Sequence, residues 1–271
     1  MVHIINNKIS KKISKKDVIL MEHIMTYISD YHGVGKTTLT FHTVWRLHEK
    51  GYRILVIDFD GQGITFSSMC GLDTGILKEK VKEKQSLYHV FAGDCKAQDA
   101  MISVTERLDV FSFGMNLSYM QPMTSIEQFR QLIDEIKDQY DYIFIDVNSS
   151  PDWRYALTLA VVDYAIIPID CSKSANLLDC MGILNIISSI QEQFHSHVQI
   201  LGFVANYVDD NDIQLYDDFK RRMALYRYKV FDTYVPVSDV IDAFTDGLFT
   251  IRQKQPVYDL FDKLIEQLAI I

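Results

Sequence analysis

The chain has 271 residues, 48% of them apolar and 23% charged, with a formal net charge of −9. Such proportions suit one large α/β domain, and no apolar run approaches the ~18 residues that cross a bilayer. The acidic balance excludes a protein coated in basic surface, so any contact with nucleic acid has to come from a local patch.

Residues 1–23 read as a short basic arm, with Lys8, Lys11, Lys12, Lys15 and Lys16 against Asp17 and Glu22. The arm is too short for an independent helix-turn-helix, and residues 6–17 are polar, without the apolar segment of a secretory signal. A cytoplasmic protein is expected. From Ile24 to Ile271 the pattern predicts a single domain of alternating strands and helices. Ile24 to Ile28 is an apolar run that reads as the first strand. His32-Gly33-Val34-Gly35-Lys36-Thr37-Thr38 follows directly, and an amphipathic helix is predicted over Leu39–Lys50. Strand, glycine loop, Lys-Thr and helix in this order form a cradle for a phosphate chain. Gly33 and Gly35 let backbone N–H groups turn inward where a β-carbon would crowd the anion. Lys36 supplies the charge for the phosphates, and Thr37 is placed to ligate Mg²⁺, with Val34 and Thr38 completing the loop. The first glycine of the strict G-x-x-x-x-G-K-[ST] motif is replaced by Asp30.

Further along, Arg53–Asp58 is an apolar run of the kind buried on both sheet faces. Phe129, Leu132, Ile133 and Ile136 recur at i, i+3, i+4, i+7, which predicts a helix with one apolar face. Strands are predicted at Tyr142–Asp146, Tyr164–Ile169, Val198–Val204 and Val230–Val235. Helices are predicted over Leu177–Ile187, Ile213–Leu225 and Val257–Leu268. Repeated βα units imply a doubly wound, mostly parallel sheet flanked by helices, with right-handed crossovers. Cys70, Cys95, Cys171 and Cys180 have no C-x-x-C spacing and are expected as buried free thiols.

Two of these strands end in acids. Asp58 and Asp60 close the second strand, and Asp146 closes the Tyr142 strand. In an open α/β sheet ligands bind beyond the carboxyl ends of the strands, so all three acids are expected on the side of the phosphate loop. Alternation puts Asp58 and Asp60 on one face, suiting one to the metal's water shell and the other to an attacking water.

These segments together resemble the ParA/Soj/MinD group of deviant Walker-A P-loop ATPases, and most of all the Soj-type partition ATPases. Members read K-G-G-V-G-K-T-T, then L-I-D-x-D-P-Q-G-N, then Y-D-Y-I-I-I-D-x-P-P-S. The matching stretches are Tyr31–Thr38, Val56–Gly63 and Tyr140–Asp146, with further likeness at Ser86–Val90, Ala160–Ile169 and Leu201–Val204. The resemblance implies ATP and Mg²⁺ as cofactors, with Lys36 on the phosphates and Thr37 on the metal. Asp60 would orient water, Asp146 would hold the metal's water shell, and Asp58 would lie nearby. It places the base pocket at Asn206 and Val235-Pro236. It further implies an ATP-dependent homodimer, nonspecific DNA as a partner, a ParB-like centromere-binding adaptor, and a nucleoid-associated bacterial or archaeal location.

The pattern breaks where the family's signature lysine should stand, because that residue is Tyr31, followed by His32 in place of a glycine. In relatives that lysine reaches the partner's nucleotide, and tyrosine supplies no cation. Gly61 replaces the usual proline, and Asn148-Ser149-Ser150 stands where Pro-Pro-Ser is common. Candidate DNA contacts are Lys220, Arg221, Arg222, Arg227 and Lys229, with Arg252 and Lys254 as a second group. A MinD-like membrane anchor is disfavoured, because Asp259, Asp262 and Glu266 outweigh Lys263 on the last helix. A nucleotide-binding switch with weak turnover is the alternative that Tyr31 and His32 motivate.

Overall fold

The computed structural model describes residues 23–59, 65–114, 125–148, 152–171, 177–238, 241 and 255–268. Basic residues of the arm, Asp60, Arg252 and Lys254 lie outside them. Among the described residues the strands are β1 (His23–Tyr27), β2 (Ile54–Asp58), β3 (Ile102–Thr105), β4 (Leu108–Ser112), β5 (Tyr142–Asp146), β6 (Tyr164–Asp170) and β7 (Gln199–Asn206). They form one sheet in the order β3-β4-β2-β5-β1-β6-β7. Every pairing is parallel except the edge hairpin β3–β4. β1 begins at His23, the last residue assigned to the arm.

The helices are α1 (Lys36–Glu49), α2 (Thr65–Met69), α3 (Thr74–Lys82), α4 (Leu87–Phe91), α5 (Ala97–Ala100), α6 (Ile126–Ile136), α7 (Trp153–Val161), α8 (Leu177–Phe194), α9 (Ile213–Leu225) and α10 (Gln255–Leu268). Period-two alternation sorts the strand residues into two cores. Ile24, Ile28, Leu55, Ile57, Ile143 and Ile145 face α6, α7 and α8. Met25, Tyr27, Ile54, Val56, Tyr142 and Phe144 face α1 and α10. Strands covered on both faces show no polar side, and β2, β4 and β5 are buried throughout. α6 starts where Ser125 accepts from the Gln128 amide at 3.2 Å and the Gln128 side chain accepts from the Ser125 amide at 2.8 Å, a reciprocal cap.

Three expectations are corrected. β3 and β4 escaped the sequence reading, because a four-residue edge strand followed by a hairpin carries little pattern. Residues 230–235 form no regular strand: they follow β7 through isolated parallel bridges, Phe203 to Val230 and Val208 to Pro236. Of the four free cysteines only Cys171 and Cys180 are buried, whereas Cys70 and Cys95 are half-buried. No helix among the described residues is long and apolar enough to cross a membrane.

α10 docks on α1, the helix that leaves the glycine loop. Val257, Phe261, Leu264, Ile265 and Leu268 are buried, so its apolar face is spent on the core. At the rim, Arg46 binds Asp262 through Nε and Nη2, both at 2.7 Å, and Lys50 reaches the same carboxylate at 3.0 Å. His42 stacks on Phe261 with centroids 4.8 Å apart. Burial pushes the His42 imidazole from 6.5 down to about 4, against a smaller upward pull from its bond to the Ile241 backbone. Hydrogen bonding to Arg46 holds the Asp262 carboxyl below its usual 3.8.

A depressed imidazole means that the unfolded chain takes up a proton between pH 6.5 and about 4 that the folded chain refuses. Stability should therefore fall across that window as the solution is acidified, by up to roughly 3 kcal/mol. Asp262 adds its loss only below 3.8. Denaturant midpoints measured from pH 7 to 4 should slope in the wild type and lie flatter in His42→Phe. Equal slopes would assign the acid sensitivity to other groups.

Candidate nucleotide-binding site

The sheet reverses its winding around β1: α1 leads to β2 on one side, and α7 leads from β5 to β6 on the other. The crevice beyond the carboxyl ends of β1, β2 and β5 is where such folds bind ligands. The loop from β1 to α1 crosses it. Gly33 and Gly35 take φ values of +74° and +83°, a region that L side chains rarely adopt. A β-carbon on Gly33 would meet nothing within 4 Å, but one on Gly35 would lie 2.2 Å from Asn206 Nδ2. Gly35 is thus required twice, for its dihedral angle and for the side chain packed against it. Its carbonyl accepts from the Leu39 amide at 2.8 Å and starts α1.

Lys36 is 6% exposed, and its Nζ donates to the Tyr31 carbonyl at 3.0 Å. The ammonium therefore arches back over its own loop. Thr37 and Thr38 are half-buried in the first turn of α1, which carries no acidic residue. A helix N-terminus without a competing carboxylate is suited to an anion.

Asp58 and Asp146 are paired in register at the ends of adjacent strands and are 0% and 1% exposed. Asp58 Oδ2 accepts from Ser67 Oγ at 3.0 Å. The Asp58 and Asp146 backbones lie one strand spacing apart, about 4.8 Å, and two buried acids on neighbouring strand ends form a site that suits a divalent cation. The donor set fits the magnesium form of a nucleotide: hydroxyl and carboxylate oxygens here, phosphate oxygens from the ligand, and water for the rest. No cluster of three or more His, Cys, Asp or Glu that could hold a metal by itself is present among the described residues.

Asn206 is 3% exposed, so it is no surface turn residue. Its Nδ2 donates to the Val34 carbonyl at 3.0 Å, and its Oδ1 accepts from the Tyr207 amide at 3.0 Å. The end of β7 is thereby fastened to the glycine loop. Pro236 is exposed and lines a cavity of about 670 Å³ with Tyr234, Ser238, Ile241, Val257 and Leu260.

The basic residues scatter. Lys220 is paired with Asp232, while Arg221 and Arg222 share Asp218 at 3.3 and 2.6 Å. Lys229 donates to the Gln267 carbonyl and lies over the Phe231 ring. Arg227 is exposed after α9 at φ 63°. Exposed pairs of this kind are worth ~1 kcal/mol at most, so Arg221, Arg222 and Arg227 can still meet an anionic partner.

Sequence reading missed Ser67, Arg154 and the pairing of Asp30 with Gly182. Asp30, which replaces the first motif glycine, lies so close to α8 that a β-carbon on Gly182 would be 2.3 Å from its Oδ2. A glycine inside an otherwise apolar helix was the available signal of close approach.

Fold and site together define a P-loop nucleotide-binding protein. Residues 22–200 match the AAA domain family (AAA_31). The sporulation initiation inhibitor protein Soj of Bacillus subtilis (strain 168) is 28% identical over 225 residues, which cover 80% of this chain and 85% of Soj. The chromosome-partitioning ATPase Soj of Treponema pallidum (strain Nichols) is 25% identical over 223 residues, 80% of this chain and 83% of that protein. Among solved structures, the septum site-determining protein MinD from Pyrococcus horikoshii OT3, complexed with Mg-ADP, superposes with a TM-score of 0.70 at 22% identity. That likeness covers 92% of this chain and 96% of MinD. The chain belongs to the AAA domain family, as a P-loop ATPase of the ParA/MinD type.

Proposed function

We propose that this protein is a partition-type ATPase that binds MgATP, dimerises on it, and engages nonspecific DNA until an adaptor protein stimulates release. The observation that carries the reading is the Gly35–Lys36 cradle opposite the Asp58–Asp146 pair. Lys36 would hold the phosphates and Thr37 the metal, with Asp58 and Asp146 on the metal's water shell. Magnesium supplies charge neutralisation for phosphoryl transfer. Asp60 is assigned to orient water, and Asn206 and Pro236 to border the base. Arg221, Arg222 and Arg227, with Lys220, Lys229, Arg252 and Lys254, are the cations proposed to meet DNA. The name of the Treponema pallidum relative, a chromosome-partitioning ATPase, supports the partition role, and a ParB-like adaptor is proposed with it.

Tyr31 favours a second reading, a nucleotide-dependent switch with slow turnover. It is 47% exposed at the loop where the related ATPases carry a cation. The discriminating measurement is ATP turnover with and without nonspecific DNA, with Lys36→Ala and Asp60→Ala as controls. Turnover that DNA stimulates, and that both variants lose, supports the first reading. Tight ATP binding without turnover under any condition supports the second. If the missing cation limits the rate, Tyr31→Lys should raise turnover, by up to ~10³-fold. An unchanged rate would remove Tyr31 from the explanation.

A further inference from the structure

Arg154 occupies a position that helix electrostatics disfavour. It stands in the first turn of α7, next to the N-cap Asp152, where the helix dipole repels a cation. It is also only 3% exposed, and removing a guanidinium from water is costly unless its N–H groups are bonded. A residue that breaks two local rules is held there by something the fold needs.

Its bonds show what that is. Nε lies 3.3 and 3.1 Å from the two Asp152 oxygens, and Nη2 lies 2.5 Å from Oδ2. Nη1 donates to the Phe59 carbonyl at 3.2 Å, across 95 residues of sequence. Among the described residues this is the long-range partner of the guanidinium. Phe59 follows Asp58 directly. Its amide donates to the Asp146 carbonyl at 2.9 Å, and its ring sits among Phe113, Phe129 and Trp153 with centroids 5.4–6.4 Å away. Amide and ring are fixed by β5 and the core, which leaves the carbonyl. Its orientation sets the direction in which the chain leaves β2, and the next residue in sequence is Asp60.

The geometry points to Arg154 as a positioning residue: braced by Asp152, it clamps the Phe59 carbonyl and so fixes the exit of β2 beside the Asp58–Asp146 pair. This rests on the reading that the acids at this strand end serve hydrolysis of MgATP. Neither side chain is placed on substrate. Their loss should therefore slow the chemical step more than it weakens binding.

The test compares wild type with Arg154→Met, Arg154→Lys and Asp152→Asn. Asparagine still caps α7, so Asp152→Asn removes the brace without the helix start. Two readouts are needed: kcat beside the Kd for MgATP, and hydrogen exchange of the peptide covering Ile54–Phe59. Arg154→Met should lower kcat at least tenfold with Kd within threefold, and speed exchange in that peptide about tenfold. Asp152→Asn should lower kcat severalfold, and Arg154→Lys, with one ammonium for two partners, should fall between. Unchanged exchange in Arg154→Met and Asp152→Asn would overturn the inference, as would equal losses in kcat and affinity. Should Arg154→Met fail to fold, Asp152→Asn decides. If the wild type shows no turnover, the hydrolase reading fails by itself, and the exchange data still decide whether Arg154 clamps the strand.

Discussion

Gly35→Ala is expected to weaken MgATP binding by roughly 30-fold to several thousand-fold, measured by titration with a fluorescent nucleotide. Two costs combine. An L residue held in the left-handed region loses about 1–2 kcal/mol. The added methyl, 2.2 Å from Asn206 Nδ2, must also displace the amide that holds the Val34 carbonyl. A buried hydrogen bond lost in this way costs about 1–3 kcal/mol more. The loop can relieve the contact only by turning its N–H groups away from a common centre. Gly33→Ala is the internal comparison: it shares the positive φ but meets nothing within 4 Å. Its loss should stay near tenfold, the dihedral cost alone. Asn206→Ala should cost less affinity when added to Gly35→Ala than when made in the wild type, because in the double variant the clash disappears while the dihedral cost remains. Equal effects at the two glycines would show that the contact with Asn206 does not shape the loop.

The second large effect is expected at the carboxylate pair. Asp146→Asn keeps the shape of the side chain and removes its charge. Turnover should fall about 10²-fold or more, with the Mg²⁺ concentration for half-maximal rate shifted upward. Stability should move the other way. Asp58 and Asp146 are register partners at the strand ends, both essentially unexposed, and two buried like charges on adjacent strands oppose each other. The nucleotide-free variant should therefore melt at or above the wild-type temperature, in keeping with the trade between activity and stability at such sites. Asp58→Asn should do the same to the rate and should also break the bond from Ser67 Oγ to Asp58 Oδ2 or recast it on the amide. A melting temperature lowered by more than about 5 °C in Asp146→Asn would mark the carboxylate as a structural element.

The α10–α1 contact bears on the membrane reading considered from sequence. Val257, Phe261, Leu264, Ile265 and Leu268 are buried against α1 and the sheet, and its acids face outward or pair with Arg46 and Lys50. A helix whose apolar face is already packed has little left to offer a bilayer surface.

The sequence by itself determined the parallel core and the phosphate cradle. Both are written in local order: apolar runs closed by an acid at Asp58 and Asp146, and two glycines with Lys-Thr between a strand and a helix. Tyr142–Asp146 and Ile213–Leu225 match the observed elements to the residue, because their patterns have sharp edges. Tertiary structure alone decided the rest. The β3–β4 hairpin is defined by pairing with β2, and residues 230–235 are defined by β7. Asn206 acts on the loop through Val34, 172 residues away in sequence. Arg154 meets Phe59, and Asp30 meets Gly182, only because helices from distant parts of the chain pack beside the strand ends. Periodicity and spacing report what a segment prefers by itself. They are silent on contacts that closing the sheet creates, and the side chains that brace this site are of that second kind.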